Sequence, residues 1–208
     1  IGPGDEVIIP AHTYCSTAIP FARRGARIVW ADIHPEYRVS TAQTIEPLIT
    51  KKTKVIVAVH LYGMAVPMQE ICDIAQDRGV LVVEDCAQAI GASCNGLKVG
   101  TWGDFGCFSF HAQKNLTTLG EGGMLTVRDE STAALVPGLR QNGHRPYPAD
   151  RDCYWLPAMV NTDFDIDGVW PYKLSLGEVQ CALGSQLIGK LDEITEKRNR
   201  DAERVIAT

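Results

Sequence analysis

The stretch Val82-Val-Glu-Asp85-Cys-Ala-Gln88 decides the fold, together with the later segment Phe108-Ser-Phe-His-Ala-Gln-Lys-Asn-Leu-Thr-Thr-Leu-Gly-Glu-Gly-Gly123. The first begins with an apolar, β-branched run, which is typical of a buried strand, and then presents a carboxylate. The second places Lys114 between two hydrophobic runs, on a turn rich in glycine and hydroxyl groups. Ligands in an open α/β sheet bind at the carboxyl ends of the strands, so the sequence predicts one site that contains both Asp85 and Lys114.

A carboxylate and a lysine in this arrangement indicate pyridoxal phosphate as a cofactor. An aspartate can keep the pyridine nitrogen protonated, and a lysine can bind the aldehyde covalently. Gln88 follows Asp85 closely enough for its amide to reach the phenolic oxygen, and Ser109 could donate to the phosphate. Each residue also has an ordinary interpretation: Asp85 as a helix cap, Lys114 as a solvated surface group and Ser109 as a strand-end hydroxyl.

Short apolar runs alternate with candidate helices over the first half of the chain. The predicted strands are 6–9, 27–30, 54–59, 80–83, 105–110 and 124–127. The predicted helices are 16–24, 41–49, 68–78, 132–141 and 174–208, the last as one long helix or a broken pair. This alternation predicts right-handed crossovers and an α/β fold, with a mostly parallel mixed sheet flanked by helices.

Composition narrows the class of protein. The 208 residues are 45% hydrophobic and carry a net charge of -5, with no basic stripe for nucleic acid or an anionic membrane. No apolar run has the length of a membrane helix, and no signal peptide is recognised. The seven cysteines lack the spacing of a zinc site and are predicted to be mostly small buried hydrophobes, so we expect no metal and a cytoplasmic location.

Two further segments carry expectations. The chain opens on Ile1-Gly-Pro-Gly as if entering a strand and stops at Thr208 inside a charged, helix-like stretch, which predicts a fragment of a longer protein. The segment 147–172 is irregular and contains proline and aromatic residues, so we expect it to be functional or to pack against something outside this chain.

Three segments, taken in their order along the chain, resemble the DegT/DnrJ/EryC1/StrS family of pyridoxal-phosphate sugar aminotransferases. The resemblance runs across essentially all 208 residues and implies the large domain of a fold-type-I transferase. The segments are Pro10-Ala-His-Thr-Tyr-Cys-Ser-Thr-Ala18, Val83-Glu-Asp-Cys-Ala-Gln-Ala89 and Phe108-Ser-Phe…Lys-Asn-Leu-Thr-Thr…Gly-Glu-Gly-Gly123.

The resemblance implies a role for each matching position. Lys114 falls on the lysine that binds the cofactor and is catalytic, and Asp85 falls on the partner of the pyridine nitrogen. Gln88 falls on the contact to the ring oxygen, and Ser109 on a phosphate ligand. Tyr14 matches the aromatic residue that stacks on the cofactor; without the resemblance it would be interpreted as a core aromatic.

Two weaker matches concern the substrate. His60 matches a strand-end histidine near the site, although a structural histidine is an equal alternative. The segment 170–184 resembles a motif that, in the family, reaches the active site of the neighbouring subunit, and so implies a homodimer. Within it Lys173 stands where arginine is common and Pro171 where asparagine is common; lysine keeps the charge but loses the bidentate geometry.

The resemblance also implies a domain arrangement. A phosphate-binding loop would precede Ile1, and a small C-terminal domain would follow Thr208. We therefore expect residues 1–208 to be a fragment of the cofactor-binding large domain, with 174–208 leading towards the small domain, and the fragment need not be active alone.

The implied reaction is transamination of a keto sugar, nucleotide-linked, with glutamate or glutamine as the amino donor. A keto-cyclitol such as an inosose is an alternative substrate. A sugar dehydratase is disfavoured, because family members of that type carry histidine where this chain has Lys114. A non-catalytic, cofactor-binding regulatory relative stays open. A dinucleotide-binding fold is disfavoured, because no G-x-G-x-x-G lies directly between a strand and a helix.

Overall fold

A six-stranded sheet organises the chain. The computed structural model describes residues 1–144, 162, 166 and 168–207. The strand order is β2-β1-β3-β4-β7-β8, and β5 and β6 form a separate two-stranded hairpin. The pairings of β1 with β2, β1 with β3, β3 with β4 and β4 with β7 are all parallel. The strands are β1 Glu6–Pro10, β2 Arg27–Ala31, β3 Thr53–Val59, β4 Leu81–Asp85, β5 Ser93–Cys94, β6 Leu97–Lys98, β7 Phe105–Ser109 and β8 Gly123–Val127.

Six α-helices are described. They are α1 Ile19–Arg23, α2 Ala42–Ile45, α3 Met68–Arg78, α4 Glu130–Arg140, α5 Glu178–Ile188 and α6 Leu191–Ile206, and short 3-10 turns lie at Cys15–Thr17 and Glu46–Leu48. None of the helices in the described part of the chain is long and apolar enough to cross a membrane.

The chain divides into two compact units. The larger comprises Ile1–Thr126 and Val179–Thr208, and the smaller comprises Val127–Glu178. In the larger unit, all of β1 is buried, and so is β3 apart from Lys54, as expected for parallel strands covered on both faces. In the smaller unit, Asp129 caps α4 by accepting from the Thr132 N–H, and hydrogen bonds from Ser131 and Thr132 lower the pKa of Asp129 to about 2.

The sequence of helix α3 determines both the face that packs on the core and the residue at which the helix ends. Met68, Ile71 and Ala75 recur at helical spacing and are buried, so one face of the helix packs on the core. The helix stops at Gly79, whose φ of 63° is the left-handed conformation that glycine adopts without a steric penalty.

The predicted α/β fold, with its mostly parallel mixed sheet, is confirmed. Helix 68–78 has the predicted ends, and the stretch 174–208 forms the broken pair α5 and α6. The predicted helices 16–24 and 41–49 each split into a short α-helix and a 3-10 turn. The segment 147–172 lies largely outside the described residues, and a hairpin that was not predicted occurs at β5 and β6.

The expectation that most cysteines are buried needs a correction. Only Cys86 is fully buried among the six that are described, none of which forms a disulfide. Cys72 and Cys94 are partly buried, and the other three are exposed: Cys15, Cys107 and Cys181. Apolar neighbours in sequence do not bury a thiol in a short 3-10 turn, on an uncovered face of a strand or on the outer face of a helix; Cys15, Cys107 and Cys181 occupy these three positions. Cys153 lies outside the described residues.

Candidate active site

A cavity of about 510 Å³ lies at the carboxyl ends of β3, β4 and β7, within the larger unit. Six of the seven residues predicted from the sequence line it: Tyr14, His60, Asp85, Gln88, Ser109 and Lys114. The seventh, Lys173, belongs to the smaller unit, where its backbone forms an antiparallel bridge with Gln141.

Strand register explains why three of these residues lie at the same edge of the sheet. Asp85 is the last residue of β4 and pairs with Cys107 on the parallel strand β7. Ser109 follows Cys107 by two residues and therefore points to the same face of the sheet. His60 directly follows β3, and its N–H donates to the carbonyl of Asp85 at 3.0 Å. Parallel strands thus deliver all three residues to one edge of the sheet.

The carboxylate of Asp85 has a donor on each oxygen. The hydroxyl of Thr17 donates to Oδ2 at 2.7 Å, and the N–H of Ala87 donates to Oδ1 at 3.1 Å. Thr17 in turn lies 2.8 Å from the hydroxyl of Thr13. Sequence reasoning missed both threonines, although the hydroxyl-rich run after β1 was a signal that side chains there reach a ligand or a carboxylate.

Lys114 sits on a loop that folds back on itself through backbone hydrogen bonds. The N–H of Lys114 donates to the carbonyl of His111 at 2.9 Å, and the N–H of Ala112 donates to that of Gly120 at 2.7 Å. At the base of the loop, the N–H of Phe110 donates to the carbonyl of Gly122 at 2.7 Å. The lysine side chain is half-buried, so it is held at the cavity wall.

Two residues at the mouth of the cavity have contrasting environments. Tyr14 is 68% exposed, which leaves its ring available for stacking and rules out the interpretation as a core aromatic. Gln88 accepts a hydrogen bond from the N–H of Tyr62 at 3.4 Å through Oε1, so the donors that its side chain can offer a ligand are those of its amide NH₂ group.

His60 is fully buried and both of its ring nitrogens are engaged by protein. The N–H of Val66 donates to Nδ1 at 3.0 Å, so the ring proton lies on Nε2, which donates to Glu84 at 2.9 Å. A contact with substrate would break one of these hydrogen bonds. The structure therefore favours the alternative that His60 is structural.

Glu84 is the partner that sequence reasoning missed. Its carboxylate is fully buried and also accepts from the N–H groups of Gly100, Trp102 and Gly103 at 2.7, 2.7 and 2.8 Å. Burial works to raise the pKa of Glu84, but the hydrogen bonds from His60, Gly103 and Gly100 outweigh it and lower the pKa below the ordinary value of 4.5. Glu84 thereby fixes the end of β4 next to Asp85.

The residues around the cavity fit a cofactor, whereas the nearby histidine, glutamate and cysteine do not form a metal site. A strand-end carboxylate, an amine, an exposed aromatic ring and a hydroxyl around about 510 Å³ match pyridoxal phosphate in size and donor set. His60, Glu84 and Cys86 have ligand atoms within 4.8 Å of one another. Both oxygens of Glu84 already accept N–H donors, so this cluster is a hydrogen-bonded network and not a vacant set of metal ligands.

Comparison with known proteins gives a consistent result. The DegT/DnrJ/EryC1/StrS aminotransferase family matches residues 1–207. A UDP-N-acetyl-3-dehydro-alpha-D-glucosamine 3-aminotransferase from Acidithiobacillus ferrooxidans is 47% identical over 143 residues, which are 69% of this chain and 39% of the relative. A GDP-perosamine synthase from Caulobacter vibrioides is 38% identical over 200 residues, which are 96% of this chain and 50% of the relative.

Solved structures agree. The aminotransferase from Psychrobacter cryohalolentis superposes with a TM-score of 0.86 at 32% identity, covering 98% of this chain and 50% of that one. The chain spans about half the length, or less, of these relatives.

Proposed function

The chain belongs to the DegT/DnrJ/EryC1/StrS aminotransferase family, and on that premise we propose that it forms the cofactor-binding part of a pyridoxal-phosphate-dependent sugar aminotransferase. The observation that carries the proposal is that Lys114 and Asp85, chosen from the sequence, line one cavity of suitable size. The proposed substrate is a keto sugar linked to a nucleotide, and the proposed amino donor is glutamate or glutamine.

Pyridoxal phosphate, when bound, supplies an electrophilic aldehyde and a ring that withdraws electrons from the reacting carbon. Asp85 would hold the proton on the pyridine nitrogen, since Thr17 and Ala87 fix the orientation of its carboxylate. Lys114 would bind the cofactor and, as a free amine, remove a proton from one carbon and return it to another. Its place on a backbone-bonded loop restricts the directions from which the amine can act.

The remaining cavity residues would orient the cofactor. The exposed ring of Tyr14 would stack on the cofactor, the amide of Gln88 would donate to its phenolic oxygen, and the hydroxyl of Ser109 would donate to its phosphate. His60 would act on the site through Glu84, by holding the end of β4. These are positioning roles, and the chemistry is left to Lys114.

The nature of the substrate is proposed from the relatives. Two of them carry names that place a nucleoside diphosphate on the sugar, UDP in one case and GDP in the other. We extend this to a nucleotide-linked keto sugar here. We place the enzyme in a reducing compartment, the cytoplasm, because none of the six described cysteines forms a disulfide.

A homodimer completes the proposal. Lys173 would serve the cofactor or substrate phosphate of the neighbouring subunit, and residues 1–208 would belong to the large domain of each protomer. The support is indirect: Lys173 lies on a strand-like bridge beside Gln141, which fixes its backbone, and the relatives are about twice as long as this chain.

The decisive experiment is borohydride trapping. Protein expressed from its complete reading frame is incubated with pyridoxal phosphate, reduced and digested, and the modified peptide is identified by mass spectrometry. We expect the adduct on Lys114 and its loss in Lys114→Arg. Lys98→Arg is the matched control, because Lys98 donates to the carbonyl of Gly91 at 2.9 Å outside the cavity. An adduct on another lysine, or full turnover by Lys114→Arg, rejects the assignment.

The substrate class needs a separate assay. The protein is tested with UDP-linked and GDP-linked keto sugars and with inososes, each with glutamate and with glutamine, and the products are identified by mass and regiochemistry. Turnover of a nucleotide-linked keto sugar is expected. Turnover of inososes alone would show that the substrate is a keto-cyclitol and not a nucleotide-linked sugar. A trapped adduct with no transamination at all would favour a regulatory role.

A further inference from the structure

A second cavity, of about 700 Å³, opens beside the first within the larger unit. The two cavities share the wall formed by Ala87, Gln88, Gln113 and Lys114. On the far side, the second cavity is lined by α6, which contributes Thr195, Arg198, Asn199 and Ala202. A ligand attached at Lys114 could therefore extend from the first cavity towards α6.

The spacing on α6 makes this lining a continuous surface. Residues 195, 198, 199 and 202 recur at i, i+3, i+4 and i+7, which places them on one face of a helix. That face carries a hydroxyl, a guanidinium and an amide, all capable of donating hydrogen bonds. An ordinary core-facing stripe would be apolar, whereas α6 has no fully buried residue.

The charges of the two cavities differ. Asp85 and Glu121 line the first, whereas the second is lined by the cations Lys114 and Arg198 and by no aspartate or glutamate. In the proposed function Lys114 binds the cofactor, so Arg198 supplies the positive charge in the second cavity that can bind another ligand. The second cavity is therefore suited to an anion.

Arg198 also differs from its neighbours on the helix. Arg200 lies 3.7 Å from Glu196, and Arg204 lies 3.9 Å from Asp201. No carboxylate among the described residues lies within ion-pair distance of Arg198, which faces the cavity instead. A guanidinium that lines an open cavity can donate two parallel hydrogen bonds to a phosphate group.

We propose that Arg198, with Thr195 and Asn199, binds the diphosphate of a nucleotide-linked sugar whose sugar ring lies at Lys114. The inference rests on the proposed function and adds a site to it. The order of groups in such a ligand matches the order of the cavities, since the diphosphate directly follows the sugar. The volume of about 700 Å³ exceeds what the carboxylate of a small amino donor needs.

The test is the affinity of pyridoxal-phosphate-loaded protein, expressed from its complete reading frame, for UDP and for inorganic pyrophosphate by titration calorimetry. Arg198→Gln should weaken both affinities about 10- to 100-fold, since it removes charge-assisted hydrogen bonds. The affinities of Arg198→Lys should fall between those of the wild type and Arg198→Gln, because lysine keeps the charge and loses the bidentate geometry. Arg200→Gln, on the same helix but paired with Glu196, should bind like the wild type.

Two readouts keep the inference separate from folding and from the proposed function. The thermal unfolding midpoint and the borohydride-trapped adduct at Lys114 should be the same in all the variants. A missing adduct in the wild type with UDP binding that depends on Arg198 would reject the aminotransferase and leave the diphosphate site standing. An adduct with UDP affinity unchanged to within twofold in Arg198→Gln overturns the diphosphate site alone.

Two other results would also overturn it. One is a wild-type protein that binds neither UDP nor pyrophosphate. The other is an Arg198→Gln variant whose only loss is in the affinity for glutamate, because the guanidinium would then serve the carboxylate of the donor.

Discussion

Thr17 and Asp85 are joined by a hydrogen bond of 2.7 Å, from the Thr17 hydroxyl to Oδ2, across a sequence separation of 68 residues. The bond connects the 3-10 turn after β1 with the last residue of β4. The other carboxylate oxygen is held by the N–H of Ala87 at 3.1 Å. The direction in which Asp85 presents its charge to the cavity is therefore set by a side chain from another element.

Thr17→Val should weaken the binding of pyridoxal phosphate about 5- to 10-fold. Valine keeps the shape of threonine but removes the donor to Oδ2, and the net value of such a bond is about 1 kcal/mol. Absorbance titration of the cofactor measures the affinity. Thr13→Val is the control, because the Thr13 hydroxyl lies 2.8 Å from that of Thr17 and forms no hydrogen bond with Asp85 itself. Equal affinities of Thr17→Val and wild type would contradict the role.

Glu84→Gln should destabilise the fold by about 3 kcal/mol at pH 7, since it leaves buried N–H donors facing an amide. The folded pKa of Glu84 is lowered below 4.5, so its contribution is complete above that pH and is lost as the pH falls through the folded pKa. The difference in free energy of unfolding between wild type and variant, measured with urea, should therefore be smaller at about pH 3 than at pH 7.

The matched control for this experiment is Glu46→Gln. Glu46 forms an exposed ion pair with Arg78 at 3.4 Å, which is worth under about 1 kcal/mol. A gap for Glu84→Gln that stays constant between the two pH values would mean that the carboxylate charge does not stabilise the fold.

Cys86 should resist alkylation in the native protein. It is 1% exposed, and burial together with the charges of Glu84 and Asp85 raises the pKa of its thiol, so little thiolate is present at neutral pH. Mass spectrometry after iodoacetamide treatment should find Cys15 modified and Cys86 modified only in urea. Equal rates at Cys15 and Cys86 in the native state would show that β4 opens readily.

The parts of the fold that follow from local physics could be predicted from the sequence. Helix α3 is one case, because its buried residues repeat at helical spacing and Gly79 ends it. The hairpin β5–β6 was predictable but was missed. Asn95 and Gly96 have φ values of 46° and 82°, as an Asn-Gly turn requires, but two-residue strands carry no periodicity to draw attention to it.

The residues of the candidate site likewise fall into those that could be predicted from the sequence and those that could not. Asp85 and Ser109 could be placed because each ends a strand, and parallel strands end at one edge of the sheet. Thr17 could not be assigned to Asp85, because nothing local indicates which of many threonines meets a distant carboxylate. Arg198 is a similar case, since only the tertiary position of α6 distinguishes it from Arg200 on the same helix.

Gly122→Ala should destabilise the loop that carries Lys114. A Cβ at Gly122 would overlap the hydroxyl of Thr118, which itself donates to the carbonyl of Glu121 at 3.2 Å. Overpacking of this kind costs about 1–3 kcal/mol, and the displaced loop should also lower the yield of trapped cofactor. Gly2→Ala is the control, because its added Cβ meets nothing within 4 Å.

A double-mutant cycle identifies the cause of that destabilisation. Thr118→Ala removes the hydroxyl that the new methyl group would strike, at the expense of about 1 kcal/mol for its lost hydrogen bonds. If steric overlap is the mechanism, Gly122→Ala costs at least about 1 kcal/mol less in the Thr118→Ala background, as measured by urea unfolding. Strictly additive losses would instead show that Gly122 acts through the flexibility of the backbone, and Thr118 would have no part in shaping the loop.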